Sequence, residues 1–361
     1  MNPNGTGVGL VAIGRNEGER LARCLASVAA PGLLAAIVYV DSGSTDGSPA
    51  SARAAGAEVV ELDRSTPFSA ARARNAGFDR LRAVAPTAPY VMFVDGDCEV
   101  AEGWAARAAA ELEARPELAV VCGRRRERCP EASIYNRLAD LEWDTPIGPA
   151  EACGGDSVVR ASAFEAVGGF DPTASAGEEP ELCRRLRRAG WSIRRVDAEM
   201  TRHDLAMTRF GQWWRRQVRT GYSGLDVATR CDGTGDVPFR RQIQSARAWT
   251  LGHASITLAA AALGLAASGP ALALGAGALL GSLAPLQAAR IAIKDRRRVG
   301  RLGLAAAHGA LTMISKWGQV LGQGMYLRDR ALGRGARLIE YKRTGGAPAP
   351  MPWNPDPRPR T

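Results

Sequence analysis

The stretch YVMFVDGDCEV, residues 90–100, places two aspartates directly after a run of mostly apolar residues. The apolar run has the length and composition of a buried strand, and Asp95 and Asp97 follow it with only Gly96 between them. Two carboxylates this close repel each other unless positive charge lies between them. The stretch therefore indicates either a solvated turn after a strand or the binding site of a divalent cation.

The surrounding sequence alternates between strand and helix patterns. Short apolar runs at 7–14, 35–40, 58–62 and 90–95 predict four strands, and each is followed by a segment with helical spacing of its apolar residues. This alternation predicts an α/β fold with a mainly parallel sheet that is covered on both faces. Ligands of such sheets bind at the carboxyl ends of the strands, where this chain places Asp41–Asp46, Asp63 and Asp95–Asp97.

Further along, an acidic pair begins a predicted helix. The segment EEPELCRRLRRAGW opens with Glu178 and Glu179, has a proline in its first turn and ends near Gly190. Carboxylates at a helix N-terminus also interact favourably with the helix dipole, so a purely structural role is the alternative to a functional one.

Composition limits the compartment and the partners. The chain has 361 residues and a formal net charge of +10. Its seven cysteines form no C-x-x-C pair, which favours free thiols in a reducing compartment, and no secretory signal is visible at the N-terminus. The basic balance suits phosphate-bearing ligands or anionic lipid. Nucleic-acid binding is not expected, because the predicted ligand edge of the sheet is acidic.

From about residue 247 the chain becomes strongly apolar. Two stretches rich in Ala, Gly and Leu cover residues 248–293 and carry no charge before Arg290. Each is about 20 residues long, enough to cross a bilayer. Arginines and lysines precede and follow the pair, which predicts a membrane hairpin with both ends on the cytoplasmic side. The alternative is a pair of buried helices in a soluble domain. The aromatic and basic segment RFGQWWRRQVRTGYSG and the apolar stretch 304–327 are predicted to lie at the membrane surface.

Three sequence elements resemble those of the family 2 inverting glycosyltransferases. The elements VDSGSTDGS, ARNAG followed by FVDGD, and GGFDPTASAGEEPELCRRLRRAGW occur in the family's order, and the resemblance covers roughly residues 7–225. It implies the GT-A fold, which is a Rossmann-like mixed sheet flanked by helices. It also implies a nucleotide-diphosphate sugar as donor and Mg2+ or Mn2+ as cofactor.

The resemblance assigns roles to individual residues. The residues implied in nucleotide-sugar binding are Asp41, Ser42, Asp46, Arg74, Asn75 and Asp95. Those implied in metal binding are Asp97, Asp95 and His203. For catalysis the resemblance implies Glu179 as general base, with its neighbour Glu178.

The chain departs from the family pattern at three places. Ser42 replaces an aspartate that many members have, and Glu179 is longer by one methylene than the usual aspartate. Arg216 stands where processive polysaccharide synthases have a tryptophan, which weakens a processive interpretation.

Chemistry supports the same residue types independently. Loss of a nucleoside diphosphate requires neutralisation of its charge, which a hard cation held by oxygen ligands supplies. Inversion requires a base on the far side of the anomeric carbon.

Other residues have weaker functional interpretations. Arg124–Arg126 are expected to form an exposed basic face, and contact with phosphate is the alternative. Trp143 is expected in the core, although Trp143 and Asp144 could line an acceptor pocket. His253 and His308 are expected to be packing or interfacial residues.

The sequence thus predicts an inverting glycosyltransferase at the inner membrane, with its catalytic domain in the cytoplasm and a lipid-linked or glycan hydroxyl as acceptor. Its predicted parts are a catalytic domain (1–230), a membrane hairpin with amphipathic helices (231–330) and a proline-rich disordered tail (331–361). The rival hypotheses are a sugar nucleotidylyltransferase, which should carry a glycine-rich phosphate loop after the first strand, and a basic membrane or nucleic-acid binding protein without catalysis.

Overall fold

The structure is a computed structural model that describes residues 7–30, 34–174, 176–231 and 235–334. Most of the predicted tail, from residue 335 onward, lies outside the described residues.

A mixed β-sheet forms the centre of the catalytic domain. Its first strands are buried apolar runs, as the sequence predicts, and alternate residues of each strand enter the two cores on opposite faces of the sheet. In the described part of the chain the strands are β1 (Val8–Gly14), β2 (Ala36–Asp41), β3 (Glu58–Glu61), β4 (Tyr90–Asp95), β5 (Cys98–Val100), β6 (Leu118–Glu127), β7 (Gly148–Pro149), β8 (Ser157–Arg160) and β9 (Ser192–His203).

The strand order is β3-β2-β1-β4-β8-β6-β9-β5, with β7 paired to β9. The first four strands of this order are parallel, whereas β8 runs antiparallel to both β4 and β6. The register aligns Gly14 with Asp41 on one side of β1 and Ile13 with Asp95 on the other. The predicted GT-A architecture is therefore confirmed, and its acidic strand ends meet at one edge of the sheet.

Helices cover both faces of this sheet. They follow the predicted segments and are α1 (Glu19–Ala26), α2 (Ser48–Ala54), α3 (Ala70–Val84), α4 (Trp104–Ala114), α5 (Ile134–Glu142), α6 (Ala161–Ala166) and α7 (Glu178–Arg188). Helix α5 and strands β5, β7 and β9 are not among the sequence predictions.

The described residues after position 209 are mainly helical. It consists of α8 (Phe210–Arg230), α9 (Arg240–Arg247), α10 (His253–Ser268), α11 (Pro270–Gly281), α12 (Leu283–Val299) and α13 (Leu302–Ala331), with a π-helical turn at Ala248–Gly252 joining α9 to α10.

Two continuous helical segments, Arg240–Ala267 and Pro270–Val299, are long and apolar enough to cross a membrane by length and composition. Leucines along both are exposed, for example Leu263 at 70% and Leu279 at 71%. In a pair of helices buried in a soluble domain, other parts of the protein would cover these leucines. The described residues do not cover them, so the structure does not show the buried pair that the soluble alternative requires.

Candidate active site

The DGD turn lies at the end of β4, in the middle of the sheet edge. The backbone N–H of Gly96 donates to the carbonyl of Ile13 at 2.8 Å, which fixes the turn against β1. A side chain at position 96 would press on that same carbonyl, so the close approach favours glycine. Asp97 is buried, with only 5% of its surface exposed, while Asp95 faces the site.

His203 joins the two aspartates through sheet pairing. Strand β5 runs antiparallel to β9, which aligns Cys98 with His203, the last residue of β9. The His203 Nε2 atom lies 3.4 Å from an Asp97 oxygen, and potential ligand atoms of Asp95, Asp97, Cys98 and His203 all lie within 4.8 Å of one another. The three predicted metal ligands are thus brought together.

The chemistry of this group suits a hard divalent cation. The buried Nδ1 atom of His203 has no hydrogen-bond partner within the described residues, and burial lowers the pKa of the imidazole, which favours its neutral, metal-binding form. Burial also raises the pKa of the Cys98 thiol well above its usual range, so this sulfur stays protonated and is a poor ligand. Two carboxylates and one imidazole therefore remain as donors.

Arg74 connects the metal group to the acidic helix start. Its side chain is buried, and its guanidinium forms an ion pair with Asp95 at 2.8 Å and another with Glu178. The planar fork of arginine makes such double pairing possible, whereas a lysine has a single charged nitrogen. Glu178 is therefore engaged in holding Arg74.

Glu179 lies beside this ion pair at the first turn of α7. Its carboxylate accepts a hydrogen bond from the Gly154 N–H at 2.9 Å. The pKa of Glu179 is raised to about 7, first by burial and then by the negative charge of Glu178. A carboxylate with a pKa near neutrality can both take and release a proton at cellular pH, which is what a general base requires.

In the structure, hydrogen bonds to Asp41 hold together the turn after β2, which is the turn predicted to bind the nucleotide sugar. The Asp41 carboxylate accepts hydrogen bonds from the Tyr39 hydroxyl (3.1 Å), from the N–H groups of Gly43 (3.0 Å) and Ser44 (2.7 Å), and from the Ser44 hydroxyl (2.5 Å). Ser42 is half-buried and donates its N–H to Gly14. Asp46 is exposed and accepts from the N–H of Ser48, the first residue of α2.

The side chain of Asn75 makes two hydrogen bonds with the protein backbone. Its side-chain amide donates to the Phe170 carbonyl at 2.8 Å and accepts from the Phe170 N–H at 2.9 Å. In the structure this residue braces the segment before α7, which differs from the direct nucleotide contact that the resemblance implies.

The structure adds Arg125 and Asp156 to the site. Asp156 is completely buried and accepts hydrogen bonds from the Asp95 N–H (3.2 Å) and the Thr201 hydroxyl (2.6 Å). Arg125 pairs with Asp156 at 2.8 Å and lies 3.8 Å from Asp95. The expectation of an exposed basic face is therefore wrong for Arg124, which is buried, and for Arg125, which is partly buried, and holds for Arg126. The aspartate after two glycines, at 154–156, was the available sequence signal.

Other expectations concern single side chains. All seven cysteines are free thiols, as expected. His308 pairs with Asp295 at 3.1 Å, and His253 contacts the Leu280 carbonyl at 2.9 Å, so both have packing partners among the helices.

The mixed sheet, the DGD turn and the acidic helix start facing it define a domain of the GT-A glycosyltransferase class. Residues 11–153 match the model of the family described as Glycosyl transferase family 2. Over these residues the chain is therefore similar to glycosyl transferase family 2.

Individual relatives are similar to part of the chain. The chain is 29% identical over 171 residues to the pre-mycofactocin glycosyltransferase of Mycobacterium tuberculosis, an alignment that covers 44% of this chain and 35% of that protein. It is 33% identical over 140 residues to a TPR repeat-containing protein of Synechococcus elongatus, covering 38% of this chain and 32% of the relative. The matched region thus spans about a third of the length of these curated relatives.

One solved structure resembles the chain over most of its length. A mannosyltransferase from Pyrobaculum calidifontis, solved in complex with GDP-Man and Mn2+, superimposes with a TM-score of 0.56 at 16% identity. The match covers 90% of this chain and 87% of that protein. At this identity the likeness establishes the shared fold.

Proposed function

We propose that this protein is a membrane-bound inverting glycosyltransferase, which transfers a sugar from a nucleotide-diphosphate sugar to a hydroxyl of a lipid-linked or glycan acceptor. The observation that supports the proposal is the ion-paired chain from Asp95 through Arg74 to Glu178, because it links the candidate metal group to the residue next to the candidate base Glu179.

The residues of the site would divide the chemistry among them. Asp95, Asp97 and His203 would hold Mg2+ or Mn2+, which when bound neutralises the charge of a leaving diphosphate. Arg74 and Arg125 keep Asp95 oriented from two directions, at 2.8 and 3.8 Å. Glu179, with its raised pKa, would take the proton of the acceptor hydroxyl as the new bond forms.

The nucleotide would lie along the turn that follows β2. Asp41, Ser42 and Asp46 border this turn, at the sheet edge that also carries the DGD turn. The Asp41 carboxylate already accepts four hydrogen bonds. A hydrogen-bond donor on the nucleobase would therefore share the Asp41 oxygens with Ser44 or replace the Ser44 hydroxyl.

A membrane location is supported by the two apolar helical segments. Arg240, Arg241 and Arg247 precede the first exposed apolar stretch, and Lys294 and Arg296–Arg298 follow the second. A hairpin would therefore have both ends on the same side. By the positive-inside rule that side is the cytoplasm, which gives an inner-membrane protein with a cytoplasmic catalytic domain.

Metal-dependent nucleotide binding tests the proposal. Titration of the detergent-purified chain with UDP and with GDP, each with and without Mn2+, should show binding of one nucleotide that strengthens with the metal. Asp97→Asn should abolish the effect of Mn2+, whereas Asp197→Asn, at an exposed aspartate of β9, should leave it unchanged. Binding that does not respond to Mn2+, or no binding of either nucleotide, would contradict the proposal.

A further inference from the structure

One short segment of the catalytic domain contacts the membrane helices. Residues 141–147 comprise the last two residues of α5 and the loop that follows it. The guanidinium of Arg298, in the last turn of α12, donates hydrogen bonds to the carbonyls of Leu141 and Asp144. On the neighbouring helix α8, Arg216 pairs with Glu142 at 2.9 Å. The segment is therefore attached to the helical region by two arginines from two different helices.

The same segment carries Trp143 to the candidate metal site. The Trp143 ring meets the His203 ring edge-to-face, with centroids 5.1 Å apart at 84°. The guanidinium of Arg125 lies 5.6 Å from the centre of the Trp143 ring, within the range of a cation–π contact. Trp143 thus contacts the candidate metal ligand His203. It also contacts Arg125, which pairs with Asp156 beside the second candidate ligand, Asp95.

Trp143 also packs against a hydrophobic cluster that includes Leu205, Met207 and, in α8, Trp213. Leu311 of α13 packs against the same cluster. Trp143 and the C-terminal helices therefore share one hydrophobic cluster. The interpretation of Trp143 as a plain core residue is incomplete, because one edge of the ring borders the site.

The imidazole needs such support. Its Nδ1 atom has no hydrogen-bond partner in the described part of the chain, so no hydrogen bond at that atom fixes the ring. Neighbours outside the first ligand sphere commonly orient metal-binding imidazoles and set their affinity. Here the described neighbour that packs against the ring is Trp143.

We propose that Arg298 is a positioning residue, which holds the 141–147 segment so that Trp143 keeps His203 in its metal-binding orientation. The affinity of the site for the metal ion then depends on how the membrane helices pack, and it is highest when α12 contacts residues 141–147. This inference rests on the proposed function, since the metal site is part of it.

The test uses the full chain in detergent, with Mn2+ titrated in the presence of saturating UDP or GDP and free Mn2+ measured by electron paramagnetic resonance. Trp143→Ala should weaken Mn2+ binding about tenfold, the size typical of outer-sphere changes, and Arg298→Ala about threefold to fivefold. Arg298→Lys should recover most of the affinity, because an ammonium can donate to the same carbonyls. The exposed neighbour provides the control, and Arg297→Ala should match the wild type.

Two further readouts separate positioning from general destabilisation. Hydrogen–deuterium exchange should increase at 141–147 in Arg298→Ala and stay unchanged in Arg297→Ala. The double variant Trp143→Ala/Arg298→Ala should bind Mn2+ about as weakly as Trp143→Ala alone, because both changes act through one contact.

Wild-type affinity in Arg298→Ala, an equal loss in Arg297→Ala, or additive losses in the double variant would each overturn the inference and leave the proposed function intact. Absence of metal-dependent nucleotide binding in the wild type would instead overturn the proposed function, and the inference with it.

Discussion

The carboxyl of Glu179 lies in the first turn of α7, between the charged Glu178 and the backbone N–H of Gly154. Burial raises its pKa to about 7 from an ordinary value of 4.5, and Glu178 adds to the increase. Between these two pH values the folded protein keeps a proton that the unfolded chain releases. The contribution of Glu179 to stability is therefore highest below pH 4.5 and falls as the pH rises toward 7.

Glu179→Gln should be more stable than the wild type at pH 8, because a neutral amide of similar shape removes the cost of burying a charge. The gain in melting temperature should be absent at pH 4.5 and grow up to about pH 7. Thermal unfolding across this range measures it. Glu127, whose pKa is also raised to about 7, is present in both proteins and cancels in the comparison. A stability difference that is the same at all pH values would contradict the raised pKa.

At the residue scale, the sequence could predict the groups that are fixed locally. Asp95 and Asp97 follow a strand, and Glu178 and Glu179 begin a helix, so their positions derive from nearby residues. The partner of Asn75 could not be predicted, since Phe170 is 95 residues away along the chain. The ion pair of Arg125 depends likewise on Asp156, which is distant in the sequence.

At the element scale, strand β9 decides the geometry of the site because its last residue is His203. The strand was missed in the sequence because its pattern does not alternate cleanly. Its pairing with β6 has register shifts, and Arg195 is buried within it beside Ile193 and Val196. Bulges of this kind break the period of two on which strand prediction depends. By contrast, β1, β2 and β4 are continuous apolar runs and were predicted within about a residue.

Helices α8 and α13 pack closely through glycines. We therefore expect glycine-to-alanine substitutions in α13 to change stability in opposite directions at two nearby positions. A methyl group on Gly322 would collide with the Val218 carbonyl, whereas the same group on Gly324, two residues along α13, meets nothing within 4 Å. Gly322→Ala should therefore destabilise the protein, by roughly 1–3 kcal/mol as for overpacked cores. Gly324→Ala should stabilise it by up to about 1 kcal/mol through helix propensity.

Thermal unfolding of both variants in the same detergent provides the measurement. Equal shifts in the two variants would mean that α8 and α13 do not approach as closely as the structure shows.

At the scale of the whole molecule, the exposed leucines of the two apolar segments require a cover, and lipid is the one that we propose. The segments are rich in Ala and Gly and thus only weakly hydrophobic, so a single central charge should matter. An arginine at the centre of a span costs about 2.5–3.5 kcal/mol on insertion.

Leu279→Arg should lower the fraction of protein that stays in the membrane after alkaline carbonate extraction. Leu302→Arg should not, although Leu302 is equally exposed at 73%, because it begins α13 outside both apolar segments. If the two variants behave alike, or if the wild type is extracted by carbonate, the hairpin does not span the bilayer.

The sequence predicted the membrane hairpin from composition, but not how it meets the catalytic domain. That contact depends on Arg298 reaching the carbonyls of Leu141 and Asp144, more than 150 residues earlier in the chain. Backbone carbonyls leave no mark in a sequence, so such an attachment becomes visible only in the structure.

The central claim is metal-dependent sugar transfer at the Asp95–Asp97–His203 group with Glu179 as base. Its most direct test is nucleoside diphosphate release by the detergent-purified chain from a panel of nucleotide sugars, with membrane lipid extract as acceptor source and with Mn2+ or EDTA. We predict release from one donor that requires Mn2+, is lost in Asp97→Asn and Glu179→Gln, persists in Asp197→Asn, and rises with pH to a midpoint near 7. Release that continues in EDTA, or undiminished in Glu179→Gln, would contradict the account.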